Sequence, residues 1–166
     1  MCKINLEEAF ERLSNDEVIG VYTDTVLGLA CTIENKDKIY NLKQRSKELK
    51  LIKMIHSHEQ LNIKDEVLLS KIKEVWPGPT TLIFDDNYGY NSYRVPNNDT
   101  LLMLLKKLNK PLFVTSANIS GQEVCKDDSE FFKVFGGIKL LDNKEDSSNI
   151  ASTILKYKDG KFERIR

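Results

Sequence analysis

The sequence predicts an α/β or α+β fold, with helices interleaved among strands around one mixed sheet. Three observations predict it. Helix-period and strand-period apolar patterns alternate along the 166 residues. That length suits one domain, residues 1–166, able to bury roughly two-thirds of its unfolded surface. The apolar run Leu112–Val114, bounded by Pro111 and then by turn formers, reads as a buried strand. It opens into Thr115-Ser116-Ala117-Asn118-Ile119-Ser120-Gly121. Small polar residues at the end of a buried strand lie where α/β folds bind ligands. No core needs such a cluster. A loop that approaches an anion or a nucleotide does, because small side chains let the backbone come close.

The elements follow in order. Leu6–Leu13 has helical spacing, with Asn5 as its cap and Glu7 and Glu8 in the first turn. Val18–Tyr22 is a strand that runs into the polar loop Thr23-Asp24-Thr25. Lys36–Ser46 reads as a helix whose apolar face is Ile39, Tyr40 and Leu42, and Leu51–Ile55 as a strand. Lys64–Val75 is amphipathic and is ended by Pro77-Gly78-Pro79. Thr80–Phe84 is a strand, Asp85–Asn91 a turn-rich connection, Tyr93–Val95 a short strand and Asp99–Leu108 an apolar helix. After Leu112–Val114, Ser129–Phe135 is helical and stops at Gly136-Gly137. Ile138–Leu141, Ser152–Leu155 and Phe162–Ile165 are late strands, and the polar segment Asp142–Asn149 between them is expected to be mobile.

Composition narrows the function classes. Twenty-five basic and 25 acidic residues give a formal net charge of zero, which disfavours a globally basic nucleic-acid binder. Cys2, Cys31 and Cys125 are odd in number and lack metal-ligand spacing, so they read as reduced thiols. The first residues lack the apolar run of a signal peptide, and no stretch reaches the length of a membrane span. A cytoplasmic, soluble protein is expected.

Several constellations carry possible chemistry. Thr23-Asp24-Thr25 with Gly28 is either a polar turn with a helix cap or a loop whose hydroxyls contact a small polar ligand. Lys43 and Arg45 suit a helix C-terminus, and equally suit a polyphosphate or a carboxylate. Arg94, between Tyr93 and Val95, faces solvent or lines a cavity and clamps a carboxylate. Trp76-Pro77-Gly78-Pro79 reads as an architectural corner, and His56 and His58 as surface residues. There is no Walker-type loop, dinucleotide fingerprint or serine nucleophile elbow. Any nucleotide must be held in another way.

Taken in order, these motifs resemble the YrdC-like threonylcarbamoyl-AMP synthases in their short, single-domain form. The matching residues are Thr23 to Leu29, Leu42-Lys43-Gln44-Arg45, Trp76 to Thr81, Arg94-Val95-Pro96, Lys110 to Gly121 and Ser152-Thr153-Ile154. Ser116-Ala117-Asn118-Ile119-Ser120-Gly121 is the most specific of them. The resemblance implies a twisted mixed sheet flanked by helices, with a concave, positively lined cavity. It implies a nucleotidyltransferase that joins L-threonine, bicarbonate and ATP, with magnesium accompanying the ATP. Its product, threonylcarbamoyl-AMP, would pass to a threonylcarbamoyl transferase complex that modifies tRNA.

By motif position, Thr23, Thr25, Arg94 and Ser152 would bind the threonine. Lys43 and Arg45 would hold the triphosphate and act in catalysis, and Thr115, Ser116 and Asn118 would bind the nucleotide. Arg164 or Arg166 would also meet ATP. Strand alternation puts both on one face, and Arg166 is favoured. No protein metal ligands are expected. The chain departs from the family pattern at Tyr22, Leu27, Ser46, Leu49 and Met54. The alternative reading is an RNA-binding module of the same fold without adenylating activity, and even the enzyme would make at most a weak RNA contact.

Overall fold

The computed structural model describes residues 2–48 and 51–166. In chain order the first elements are β1 (Lys3–Ile4), α1 (Leu6–Ser14), β2 (Ile19–Val21), β3 (Gly28–Thr32), α2 (Lys36–Lys43), β4 (Ile52–Met54) and α3 (Glu66–Val75). Then come β5 (Thr80–Asp85), β6 (Tyr90–Arg94), α4 (Asp99–Leu108), β7 (Leu112–Ser116), α5 (Asp128–Val134), β8 (Lys139–Leu141), β9 (Thr153–Lys158) and β10 (Lys161–Arg164). All the helices but α2 start at a side-chain cap. The Asn5 side chain accepts from the Glu8 N–H while the Glu8 carboxylate accepts from the Asn5 N–H. Asp65 and Asn98 cap α3 and α4 in the simpler way.

The strands form one mixed sheet in the order β1-β8-β2-β3-β7-β4-β6-β5-β9-β10. Strand alternation sends Leu112 and Val114 of β7 to one face, against Leu101, Leu104 and Leu105 of α4 and Ala9 and Leu13 of α1. Phe113 goes to the other face, with Ile39 and Tyr40 of α2 and Phe131 of α5. β2, β3 and β7 are therefore covered on both sides, which is why Val18–Tyr22 and Leu112–Val114 read as unbroken apolar runs. At the other end of the sheet, Leu68, Ile72 and Trp76 pack on Leu82, Phe84, Tyr93 and Tyr157. The opposite face of these strands lines a cavity.

Five expectations need correction. First, the helix expected over Lys36–Ser46 stops at Lys43, because Gln44 adopts a left-handed conformation (φ 52°) and turns the chain. Second, two strands were not anticipated, Lys3–Ile4 and Gly28–Thr32. The second of these is wholly buried but built of Gly, Leu, Ala, Cys and Thr, so it carries no period-2 signal. Third, β6 begins at Tyr90, inside the segment expected to be a turn-rich connection, because Asp85–Gly89 suffices for a hairpin turn. Fourth, α3 begins at Glu66 and not at Lys64, since Asp65 is its cap.

Fifth, the Asp142–Asn149 segment is tethered. The Asn143 side chain is buried and pairs with both the N–H and the C=O of Tyr22, and it donates to Asn98 Oδ1. Ser147 Oγ donates to the Thr25 carbonyl, and the Ser148 N–H donates to Asp24 O. Cys31 and Cys125 are buried, and burial pushes the Cys31 thiol up to about 12, consistent with unreactive core cysteines. Among the described residues no helix is long and apolar enough to cross a membrane.

Candidate active site

The cavity has a volume of about 630 Å³. Its floor comes from alternate residues of adjacent strands: Ile52 and Met54 of β4, Ile83 of β5, Tyr90, Ser92 and Arg94 of β6, and Ile154 of β9. Its walls come from the loop after β2, the chain after α2, the end of β7 and the last two residues. Thr23, Thr25, Arg45, Arg94, Thr115, Ser116, Ser152 and Arg166 all line it. Lys43, Asn118 and Arg164 do not. Three arginines reach the cavity, and among the described residues no carboxylate lines it.

Thr23 and Thr25 form a directed chain. Thr23 Oγ1 donates to Val26 O at 2.7 Å and accepts from the Thr25 and Val26 N–H groups at 3.1 Å. The two hydroxyls are 2.9 Å apart, and Arg94 Nη1 donates to Thr25 Oγ1 at 2.9 Å. With the Thr23 proton on Val26 O and its lone pairs facing the Thr25 and Val26 N–H groups, the Thr25 hydroxyl, which accepts from Arg94, stays available to a ligand. Gly28 closes this corner, since a Cβ there would lie 2.8 Å from the Thr115 carbonyl.

Arg94 is only 2% exposed. Its Nε donates to Gly78 O at 3.0 Å and its Nη2 bonds the Asp24 carboxylate. Burial presses its pKa down, and Asp24 opposes the shift. The Trp76–Pro79 corner is thus architecture, with the Trp76 indole N–H donating to Thr80 O, and it also supplies an acceptor that aims Arg94.

Lys43 and Arg45 part company at the left-handed Gln44. Arg45 turns to the cavity, where Nη1 donates to Thr115 Oγ1 at 3.3 Å. Lys43, 2% exposed, points behind the wall. Its ammonium bonds the Ser116 carbonyl, Asn118 O at 2.9 Å and Asn118 Oδ1 at 2.8 Å. Burial, reinforced by Arg45, pushes its pKa down to about 8. Asn118 uses its amide within the loop, donating to Ile119 O and Gln122 O and accepting from Ser116 Oγ. As placed, Lys43 and Asn118 shape the loop that presents Ser116.

The two C-terminal arginines lie on different faces. The Ile154 carbonyl accepts from both the Ile165 N–H (2.8 Å) and the Arg166 N–H (3.4 Å), while the Ile154 N–H donates to Arg166 O (3.0 Å). Two residues opposite one make a β-bulge, which breaks the alternation that had put Arg164 and Arg166 together. Arg164, paired with Leu155, is exposed. Arg166 turns into the cavity and donates to Ser152 O and Ser152 Oγ, both at 3.0 Å. Ser152 Oγ also lies 2.9 Å from the buried Thr81 hydroxyl.

Sequence reasoning passed over Tyr90 and Ser92, although counting back by two from Arg94 would have found them. It also passed over Asp24 and Gly78 as partners of Arg94. His56 and His58 are half-buried and lie outside the cavity lining. Of the departures, Tyr22 uses an N–H that proline would lack. Leu27 is core, Ser46 is exposed and Met54 is on the cavity floor. Leu49 lies outside the described residues.

A family model named for Sua5, YciO and YrdC, and described as telomere recombination, matches residues 11–166. The chain is 32% identical over 143 aligned positions, 75% of each chain, to a protein of Klebsiella pneumoniae named threonylcarbamoyl-AMP synthase. It is 30% identical over 172 positions to one of the same name from Buchnera aphidicola, covering 92% of this chain and 98% of that one. It shares the fold of P. abyssi Sua5 complexed with L-threonine (TM-score 0.88, 21% identity), covering 99% of this chain and 56% of that longer one. It also shares the fold of E. coli YciO (TM-score 0.82, 19% identity), covering 99% and 93%.

Proposed function

The chain belongs to the Sua5/YciO/YrdC family, and from that premise we propose that it is an L-threonylcarbamoyladenylate synthase. It would join L-threonine, bicarbonate and ATP, releasing pyrophosphate, and its product would serve a transferase complex in tRNA modification. The observation that carries this reading is one cavity joining two kinds of site. Arg94 bonds Thr25, Arg166 bonds Ser152 and Arg45 bonds Thr115 next to Ser116, and all of these line the one cavity.

The threonine amine and bicarbonate combine to a carbamate with loss of water. A carbamate oxygen then attacks the α-phosphorus in line, and pyrophosphate leaves. Such a transfer needs positioning and cations more than a side-chain nucleophile. Arg94 takes the amino-acid carboxylate, with Thr23, Thr25 and Ser152 around it. Arg45 faces the phosphates beside the Thr115 and Ser116 hydroxyls, and Arg166, bonded to Ser152, would meet the nucleotide from the threonine side. Lys43 stands one layer back and would reach a phosphate oxygen only by giving up a bond to Ser116 or Asn118.

Magnesium enters with the nucleotide. Among the described residues no cluster of three or more His, Cys, Asp and Glu is arranged to hold a metal ion.

The test is pyrophosphate release from ATP and bicarbonate, with and without L-threonine and with serine as control. Release dependent on threonine and bicarbonate is the expected result. No release from folded protein, together with salt-sensitive RNA binding, would replace this reading with the RNA-binding one.

A further inference from the structure

We infer that Asp24 is a positioning residue, whose carboxylate locks the Arg94 guanidinium in the one orientation that offers a two-pronged fork to the substrate carboxylate. The inference rests on the proposed reading of the cavity as an amino-acid site. A guanidinium has five N–H donors. Three are used, by Gly78 O on Nε, Thr25 Oγ1 on Nη1 and Asp24 Oδ1 on Nη2. Two remain, one on each terminal nitrogen, and a carboxylate has two oxygens to receive them. The three anchors come from the corner after α3 and from the loop after β2, so the guanidinium plane has no freedom to turn.

Asp24 itself is not part of the cavity lining. Its side chain is 10% exposed and borders an outer cleft with Pro79 and Asn97. It therefore acts through Arg94 and does not touch the ligand. Asp24 also sets the local charge. Arg94 feels a second cation, Arg166. The Asp24 carboxylate offsets one of these two cations and so lowers the positive field that a ligand carboxylate meets.

These two contributions pull in opposite directions when the charge is removed, and that makes the inference testable. In Asp24→Asn the field around Arg94 becomes more positive, so a purely electrostatic role predicts tighter threonine binding. A positioning role predicts weaker binding, because the charged bond that orients Nη2 is lost.

The experiment is calorimetric titration of L-threonine, and separately of a non-hydrolysable ATP analogue, into the wild type, Asp24→Asn and Asp24→Glu. Melting temperature is followed in parallel. The expected result for Asp24→Asn is a threonine Kd raised about tenfold or more, with the nucleotide Kd within about twofold of wild type. Asp24→Glu keeps the charge but displaces it by a methylene, so it should fold and also bind threonine more weakly, and it decides the matter if Asp24→Asn does not fold. Unchanged or tighter threonine binding in a folded variant overturns the inference and leaves the proposed function standing. Equal loss of threonine and nucleotide binding makes Asp24 merely structural, which also overturns it. A wild type that binds no threonine overturns the proposed function and this inference together.

Discussion

The sheet has two halves that differ in what covers them. β2, β3 and β7 carry helices on both faces, α1 and α4 on one and α2 and α5 on the other. β6, β5 and β9 carry α3 on one face, and with β4 they floor the cavity on the other. In the doubly covered half packing is tight, with a Cβ on Gly20 lying 2.4 Å from Phe131 Cζ, and only the ends of β3 and β7, at Gly28 and Val114 to Ser116, reach the cavity. In the singly covered half the same alternation places Arg94, Ser92 and Tyr90 beside Ile83 and Ile154 on an open floor. Stability and chemistry are thereby assigned to different ends of one sheet. The site is built where the second helical layer is missing.

The largest effect should come from the doubly covered half. Phe131→Ala, at a fully buried position, should cost about 3–5 kcal/mol. Ile83→Ala on the half-buried cavity floor should cost about 1 kcal/mol or less, since surface-like sites tolerate truncation. Chemical denaturation of the two variants checks this, and equal losses would erase the distinction between the halves.

Arg45→Ala reverses the pattern. Adenylate formation should fall about a hundredfold or more while the melting temperature barely moves, because a cation facing the transition-state charge is removed from the open side. Full activity in that variant would take Arg45 out of the site.

The C-terminal bulge offers a smaller contrast. Arg166→Ala should raise the ATP KM about tenfold, and Arg164→Ala should leave it unchanged, because only Arg166 turns into the cavity. Similar effects from both would mean that the alternation is unbroken in solution.

The mildest test is pH. The Lys43 ammonium is pushed down from its ordinary value to about 8, so over roughly pH 8 to 10.5 the unfolded chain holds more protons than the folded one. Lys43 therefore adds stability as pH rises through that window, and its buried charge costs stability below it. Activity should move the other way. A neutral amine has one donor fewer for the Ser116–Asn118 loop, so turnover should decline by a few-fold above about pH 8. A flat profile to pH 9.5, measured with stability tracked alongside, would remove Lys43 as the loop's clamp.

Much of this protein was legible in the residues alone. The first helix announced itself through Asn5, because a cap is a local hydrogen bond between neighbours in sequence, whereas the caps Asp65 and Asn98 were not read. The buried strands Val18–Tyr22 and Leu112–Val114 were legible as apolar runs, and the Thr115–Gly121 loop as a polar interruption that no core requires. The arginines and hydroxyls of the cavity were legible as a motif series.

Other features depended on pairing across long separations. Gly28–Thr32 is a strand because β2 and β7 flank it, and not because its side chains prefer one. The Asp24–Arg94 pair joins residues 70 apart. Lys43 and Arg45 are two positions apart in sequence, yet one turn at Gln44 sends the first behind the wall and the second to the cavity. Arg164 and Arg166 share a period that a single bulge cancels. Residue type and spacing determined which chemistry the chain carries. Which face of the sheet stayed uncovered, and therefore which of those side chains reach a ligand, was decided only by where the helices packed, because a side chain's direction depends on its partners as much as on its own strand.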